Sequence, residues 1–234
     1  MSPISFLKWF PVTPRWVFHL MMLISLILLV LNMASSTSAA THSIFLVKLQ
    51  YVSANASQGS ILADIATQTS QLEVQAGYMG VCATTNGTQS CGTNIRAISG
   101  DPLQLLDVAN TLQSEFVHVQ VLIVTICLIG LALAISFPMS LPCFPNILVL
   151  SQISTVATSL SFLIWIVGMT IQHVACKAAV SILNEVTGDD QIAAFGKVAD
   201  SIGWAAVALL GGASVGLFFM MRMESHRMVK KEVV

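Results

Sequence analysis

Four long apolar stretches constrain the fold of this chain more than any other feature of its sequence. None of them contains Asp, Glu, Lys or Arg, and each approaches or exceeds the ~20 residues that a helix needs to cross the roughly 30 Å hydrocarbon core of a bilayer. They lie at about 16–34, 117–137, 147–172 and 202–221. We therefore predict an all-α membrane protein, in which residues 1–234 form one tetraspan domain built on a four-helix bundle.

The composition also favours a membrane protein over a soluble one. Charged residues make up 9% of the chain and hydrophobic residues 55%, whereas about a quarter of the residues in a soluble domain are charged. So few charges cannot cover the surface of a water-soluble globule of this length. The chain also has no basic stripe interleaved with aromatic residues, so we expect no nucleic-acid binding.

The first apolar stretch has a second interpretation, as a cleaved signal peptide. Lys8 and Arg15 precede it, and Ser38-Ala39-Ala40 resembles a small-residue cleavage site. The segment before the stretch and the stretch itself are both long for a signal peptide, which favours a retained helix. Either interpretation leaves the C-terminus on the same side of the membrane.

The charged residues predict the orientation, because cytoplasmic segments carry an excess of Lys and Arg. Residues 1–15 and 222–234 together hold six of the ten basic residues and only two acidic ones. The segment of about 35–116 has two basic and five acidic residues, and that of about 173–201 has two and four. We therefore predict cytoplasmic termini and two extracellular loops, of which the first also contains two glycosylation candidates, Asn55 and Asn86.

Local patterns predict regular structure within the first loop. Residues 43–52 and 72–83 are rich in strand-forming side chains, and the glycines of the second segment permit bends. Asn86-Gly87 is a favoured hairpin turn. Asp101-Pro102 is typical of a helix start, and the spacing of apolar residues after it predicts a helix that continues into the second span.

Two cysteines of this loop, Cys82 and Cys91, are separated by eight residues that are mostly polar and turn-forming. Exported cysteines so placed pair readily in an oxidising compartment, so we predict a disulfide that braces the loop. Two reduced thiols are the alternative. We predict no metal site here, because no histidine lies nearby in sequence to complete one, and nothing in the chain implies a cofactor.

The residues around the first cysteine resemble a family motif. The motif has a glycine, two hydrophobic residues, another glycine, any residue and a cysteine, with a second cysteine further on. The matching residues are Gly77, Tyr78, Met79, Gly80, Cys82 and Cys91. With the four predicted spans, they make the chain similar to the fungal claudin-like family of calcium-influx regulators and mating membrane-fusion proteins.

This resemblance implies a claudin-like bundle in the plasma membrane, acting in calcium influx and in membrane fusion or adhesion during mating or polarised growth. The implied partners are the lipid bilayer and other membrane proteins of the calcium-entry or fusion machinery, or the protein itself. An organiser of membrane domains or of the cell cortex is one alternative, and a small channel or transporter is another. Because the predicted spans lack Asp, Glu, Lys and Arg, an accessory role is favoured over a pore.

Several other residues have a structural and a functional interpretation. Gly212 and Gly216 form a GxxxG pattern that favours close helix packing, whereas Cys143, in the predicted cytoplasmic turn, is a palmitoylation candidate. We predict that Cys127 packs inside the bundle, and that Cys176, just outside the third span, is either free or paired with another chain. No catalytic motif is present, so we do not expect an enzyme.

Overall fold

The computed structural model describes residues 14–38, 41, 43–51, 72–85, 88–92, 105–116, 118–139, 148–187 and 191–232. Its helices are α1 (Pro14–Met33), α2 (Leu105–Phe116), α3 (Val119–Met139), α4 (Leu148–Thr187) and α5 (Lys197–Glu232). Its strands are β1 (Val47–Tyr51), β2 (Glu73–Ala76), β3 (Val81–Thr85), β4 (Thr88–Gly92) and β5 (Gln191–Phe195).

Four of these helices are long and apolar enough to cross a membrane. The spanning windows are Trp16–Met33, Val119–Phe137, Val149–Glu185 and Lys197–Met223. A small strand-containing region with a Cys82–Cys91 disulfide accompanies them. The predicted fold class is therefore confirmed, and the chain is a multi-pass membrane protein.

Helix α4 is longer than the third apolar stretch suggested, with 40 residues that end only at Thr187. About 20 residues are enough to cross a bilayer, so hydropathy marks the membrane-embedded part of a helix and not its end. Beyond residue 172 the helix still buries small side chains, among them Cys176 and Ala179. The segment of about 173–201 therefore contains more regular structure than the sequence predicted.

The strands form one five-stranded sheet in the order β4-β3-β2-β1-β5, with antiparallel neighbours throughout. The predicted strand over 72–83 is in fact two strands, β2 and β3, on either side of a glycine-containing turn. β3 pairs with β4 so that Thr85 faces Thr88, which confirms the predicted hairpin through its flanking strands.

Strand β5 lies between α4 and α5 in sequence and was not predicted. It pairs with β1, with Leu49 opposite Ala193. The Asn184 side chain at the end of α4 supports it, because its Oδ1 accepts from the Ala193 amide at 2.8 Å and its Nδ2 donates to the Ala193 carbonyl at 3.2 Å. The short apolar run Gln191–Phe195 was the only sequence signal for this strand.

The predicted continuous helix from the loop into the second span is wrong. α2 ends at Phe116 and α3 begins at Val119, with His118 outside both. The His118 carbonyl accepts the first bond of α3, from Val121 N at 3.0 Å. α2 packs on β2 and β3, so its direction is set by the sheet, whereas the direction of α3 is set by its membrane span.

The chain divides into two compact units. Unit 1 comprises Met1–Leu28, Ile123–Ile166 and Ala205–Val234, and its described part is entirely helical. Hydroxyl groups link its helices: Ser154 donates to the Ala132 carbonyl at 3.2 Å, and Ser25 donates to that of Ala206 at 3.3 Å. A third link joins the Ser159 and Ser214 hydroxyls at 2.7 Å.

Two glycines of α5 in unit 1 lie against side chains of α1. A Cβ atom at Gly216 would overlap the Phe18 ring, and one at Gly212 would lie 3.1 Å from the Met21 methyl group. By contrast, a Cβ atom at Gly130 of α3 would meet no atom within 4 Å.

Unit 2 comprises Leu29–Leu122 and Val167–Trp204. It contains the whole sheet and α2, together with the adjoining parts of the long helices. Its buried core includes Val74 and Val81 of the sheet and Tyr78 between them, each with at most 1% of its surface exposed.

We predict that Asn184→Ala weakens β5 locally, because it removes both hydrogen bonds to Ala193. These partly buried bonds together contribute about 1–2 kcal/mol, so the amides of Ile192 to Phe195 should exchange at least several-fold faster in a hydrogen-exchange experiment. Ser181→Ala, one turn earlier on α4, makes an equally exposed polar truncation and should leave exchange unchanged. Equal effects of the two variants would contradict the bridging role of Asn184.

Candidate functional site

Residues 77–80 of the glycine-cysteine motif identified in the sequence form the turn between β2 and β3. The Gly77 amide donates to the Gly80 carbonyl at 2.8 Å and closes the turn. On β3, Cys82 lies directly opposite Cys91 of β4, and the two are joined by a disulfide with their Cα atoms 4.1 Å apart. Closing so short a loop stabilises the fold by roughly 2–3 kcal/mol on a chain-entropy estimate, so the hairpin after the turn is held as a rigid unit.

The two glycines of the turn are placed against the residues that follow α1. A Cβ atom at Gly77 would lie 2.6 Å from the Ser35 carbonyl oxygen, and one at Gly80 would be closer still to the Ser36 carbonyl. Both neighbours are backbone atoms, which cannot swing away as a flexible side chain can. Ser36 itself has a φ of 55°, the left-handed conformation that commonly ends a helix.

The backbone of Tyr78 is held from two sides. Its amide donates to the Ser35 hydroxyl at 2.9 Å, and its carbonyl accepts from Nε2 of Gln113, on α2, at 3.2 Å. The Cys82 Sγ atom also lies 3.3 Å from the Ser36 carbonyl oxygen. The turn is therefore bonded both to the end of α1 and to α2.

The Tyr78 side chain enters the interior of unit 2, where only 1% of its surface is exposed. Its hydroxyl donates to Oε1 of Gln172 at 2.6 Å and lies 3.9 Å from the Met169 sulfur. Burial raises the pKa of Tyr78 above its usual range, and the hydrogen bond to Gln172 offsets only part of this increase. The phenol is therefore neutral and serves as a hydrogen-bonding anchor on α4.

A second polar contact joins α4 to the first turn of α5. The His173 Nδ1 atom lies 2.7 Å from Oδ1 of Asp200, and both side chains are partly buried. The Phe195 and Trp204 rings approach the His173 ring edge-on, with centroids 5.4 and 6.2 Å away. This pair fixes the two helices on either side of β5.

A polar groove of about 900 Å³ runs beside the turn. One wall is the exposed face of α2, and the other is formed by the turn and the first residues of α3. The side chains that line it include Met79, Asp107, Asn110, Thr111, Val119 and Gln120.

The structure brings together only some of the residues singled out from the sequence. The six motif residues form one cluster, whereas Gly212 and Gly216 pack in unit 1. Asn55, Asn86 and Cys143 lie outside the described residues, so their modification remains a prediction. The described residues contain no group of three His, Cys, Asp or Glu side chains suited to a metal ion.

The two remaining cysteines differ in burial. Cys176 is free and 2% exposed, which leaves it no access to a thiol of another chain in this conformation. Cys127 is exposed, so the prediction that it packs inside the bundle is wrong. In a membrane helix such as α3, the face towards lipid is as apolar as the face towards other helices. The sequence of α3 therefore does not show which of its faces packs on other helices.

Sequence reasoning missed the partners of the motif: Ser35, Ser36, Gln113 and Gln172. The serine pair directly after the first span is a weak signal for a helix end. Nothing local marks Gln172, which is 94 residues from Tyr78.

Most of the chain, including this region, matches the model of one known protein family. A family model described as "Ca2+ regulator and membrane fusion protein Fig1" matches residues 60–223, well over half of the chain. The match includes the turn, the disulfide, the sheet from β2 onward and three of the four spanning helices. No curated protein sequence matches the chain.

We predict that Gly80→Ala destabilises unit 2, because the added methyl group overlaps the Ser36 backbone. Overpacking of this kind costs about 1–3 kcal/mol, measurable as a lower free energy of unfolding of the purified protein. Gly130→Ala is the matched control, since its methyl group enters open space and alanine favours a helix by up to ~1 kcal/mol. Unchanged stability of Gly80→Ala would contradict the close approach of the turn to α1.

We also predict a pH dependence that originates at Tyr78. Because burial raises its folded-state pKa above the ordinary value of about 10, the unfolded chain loses the phenol proton first. The free energy of unfolding should therefore be pH-independent with respect to this group below about 10 and fall above it, by about 1.4 kcal/mol per pH unit. Tyr78→Phe should remove this decrease in denaturant titrations at pH values of about 8 and 11, with the wild-type protein as the reference.

A wild-type protein that loses no more stability than Tyr78→Phe between the two pH values would show that the phenol is not buried as described.

Proposed function

We infer that this chain, which belongs to the Fig1 family of Ca2+ regulators and membrane fusion proteins, is an accessory protein of the plasma membrane that supports calcium influx and membrane fusion or adhesion. The observation that carries this inference is the family match over residues 60–223, which contains the complete glycine-cysteine turn. In this proposal the protein acts during mating or polarised growth. It regulates a separate calcium-entry or fusion machinery, and it does not itself form the pore.

The polar groups of unit 1 support an accessory role. A cation pathway needs oxygen atoms or charges that face the ion, whereas several hydroxyls of this unit are already engaged within it. Ser25 and Ser154 bond to carbonyl groups of neighbouring helices, Thr158 bonds to the Ser154 carbonyl at 2.8 Å, and Ser159 bonds to Ser214. These bonds stabilise a packed bundle.

The connectivity of the sheet supports the proposed topology of two extracellular loops and cytoplasmic termini. β4 and β5 belong to the same sheet and therefore lie on the same side of the membrane, and the chain between them contains α3 and α4. Two crossings return the chain to its starting side. The disulfide on this sheet favours the oxidising exterior.

The turn supplies the rigid part of the proposed partner surface. Its backbone is bonded to Ser35 and Gln113, and its tyrosine to Gln172. We propose that the sheet so fixed contacts the partner membrane protein or a second copy of this chain.

The decisive experiment measures calcium uptake in cells that have received a mating signal, after deletion of the gene and re-expression of each variant. Cys82→Ser/Cys91→Ser should reduce uptake towards the level of the deletion while reaching the cell surface in normal amounts. Cys127→Ser removes an exposed cysteine outside the sheet and should retain wild-type uptake. Normal uptake in the deletion strain would overturn the proposal and favour a cortex organiser.

A reconstitution separates the accessory role from a channel. The purified chain in liposomes that contain a calcium indicator should give no flux above that of protein-free liposomes. Flux that depends on the protein would favour the channel alternative.

A further inference from the structure

One wall of the polar groove beside the turn is formed by polar side chains of α2. Asp107, Asn110, Thr111 and Ser114 follow the i, i+3, i+4, i+7 pattern and therefore share one face of α2. The Ser114 hydroxyl donates to the Thr111 carbonyl at 3.1 Å. The Asn110 and Thr111 side chains make no hydrogen bond to another described residue. The opposite face of α2 carries the packing on β2 and β3, so this wall is free to contact a ligand.

The chemistry of the lining excludes several ligand classes. Among the described residues, no lysine or arginine lines the groove, and the carboxylate of Asp107 repels anions such as phosphate. A calcium ion prefers six to eight oxygen ligands, usually with several carboxylates, whereas Asp107 is the only carboxylate among the described lining residues. An acyl chain would bury the Asp107 carboxylate and the Asn110 amide without offering either a hydrogen bond, which is unfavourable.

A neutral ligand with many hydroxyl groups fits what remains. Each sugar hydroxyl both donates and accepts, so it is matched by amides, which offer both functions, and by carboxylates and hydroxyls. The groove offers the amides of Asn110 and Gln120, with Met79 and Val119 as an apolar surface for the C–H face of a sugar ring. Its volume of about 900 Å³ is within the usual range for small-molecule sites.

The position of the groove also points to a ligand at the membrane surface. His118, Val119 and Gln120 line it and lie where the apolar window of α3 begins. This end of α3 faces the exterior in the proposed topology, on which the inference rests. The exterior is the side on which membrane lipids and proteins display their sugars.

We propose that this groove binds a neutral sugar group at the outer membrane surface, carried either by a glycolipid or by a glycoprotein. Binding places the ligand against Met79 of the turn and against the start of α3. The site thus lies at the junction between the rigid sheet and a membrane-spanning helix.

The test uses the purified full-length chain in phosphatidylcholine nanodiscs and fluorescent oligomers of glucose and of mannose as probes. We expect saturable binding by fluorescence anisotropy, weakened about tenfold in Asn110→Ala/Thr111→Ala, which loses about two hydrogen bonds. Both substitutions favour a helix, so α2 remains folded. Gln89→Ala/Ser90→Ala on β4 is the matched control, with one amide and one hydroxyl of similar exposure outside the groove, and should bind as the wild type does.

A second arm adds glucosylceramide to the nanodiscs. Displacement of the soluble oligomer by this lipid assigns the groove to a glycolipid headgroup, and undisturbed binding of the oligomer assigns it to a protein-linked sugar. No binding of either probe by the wild type, or equal weakening in both variants, overturns the proposal. The calcium-uptake assay is a separate measurement, so the two proposals fail independently.

Discussion

The rest of unit 2 depends on the close approach between the β2–β3 turn and the residues that follow α1. Gly77 and Gly80 allow two stretches of backbone to touch, which no residue with a Cβ atom permits at this distance. That contact places Tyr78 above the interior of the unit, where its hydroxyl reaches Gln172 of α4. Cys82, the first cysteine of the disulfide, lies only two residues after the turn. Because the turn is fixed in place, β3 and the strand β4 that is cross-linked to it are fixed as well.

The membrane-spanning helices could be predicted from the sequence because the bilayer imposes a length and a polarity that composition alone reveals. The disulfide and the hairpin were also predictable, since both depend on residues close together in the chain. Strand β5 was not, because its pairing with β1 joins residues about 140 positions apart, such as Leu49 and Ala193, and its run of five residues carries little signal. The end of α4 was missed for a different reason, since a helix that leaves the membrane no longer needs an apolar surface.

The motif residues of the candidate site could be identified from the sequence, but the residues that the turn contacts could not. The sequence pattern identified glycines that permit bends, whereas the structure shows that they mainly permit contact with Ser35 and Ser36. The break between α2 and α3 was likewise hidden, because apolar spacing continues through it. The two helices are separate because α2 packs on the sheet whereas α3 crosses the membrane. The packing of α2 depends on tertiary contacts, which the local sequence does not show.

The pairing of β5 with β1 has a consequence for the biosynthesis of the protein. β1 to β4 are synthesised well before β5, and α3 and α4 come between them in the chain. Until residues 191–195 have been synthesised and have joined the sheet, one edge of β1 has no strand beside it, and an unpaired edge can associate with other chains. Completion of the sheet therefore follows synthesis of α3 and α4, so a finished five-stranded sheet is the sign that the chain from β1 to β5 has folded with both of these helices in place.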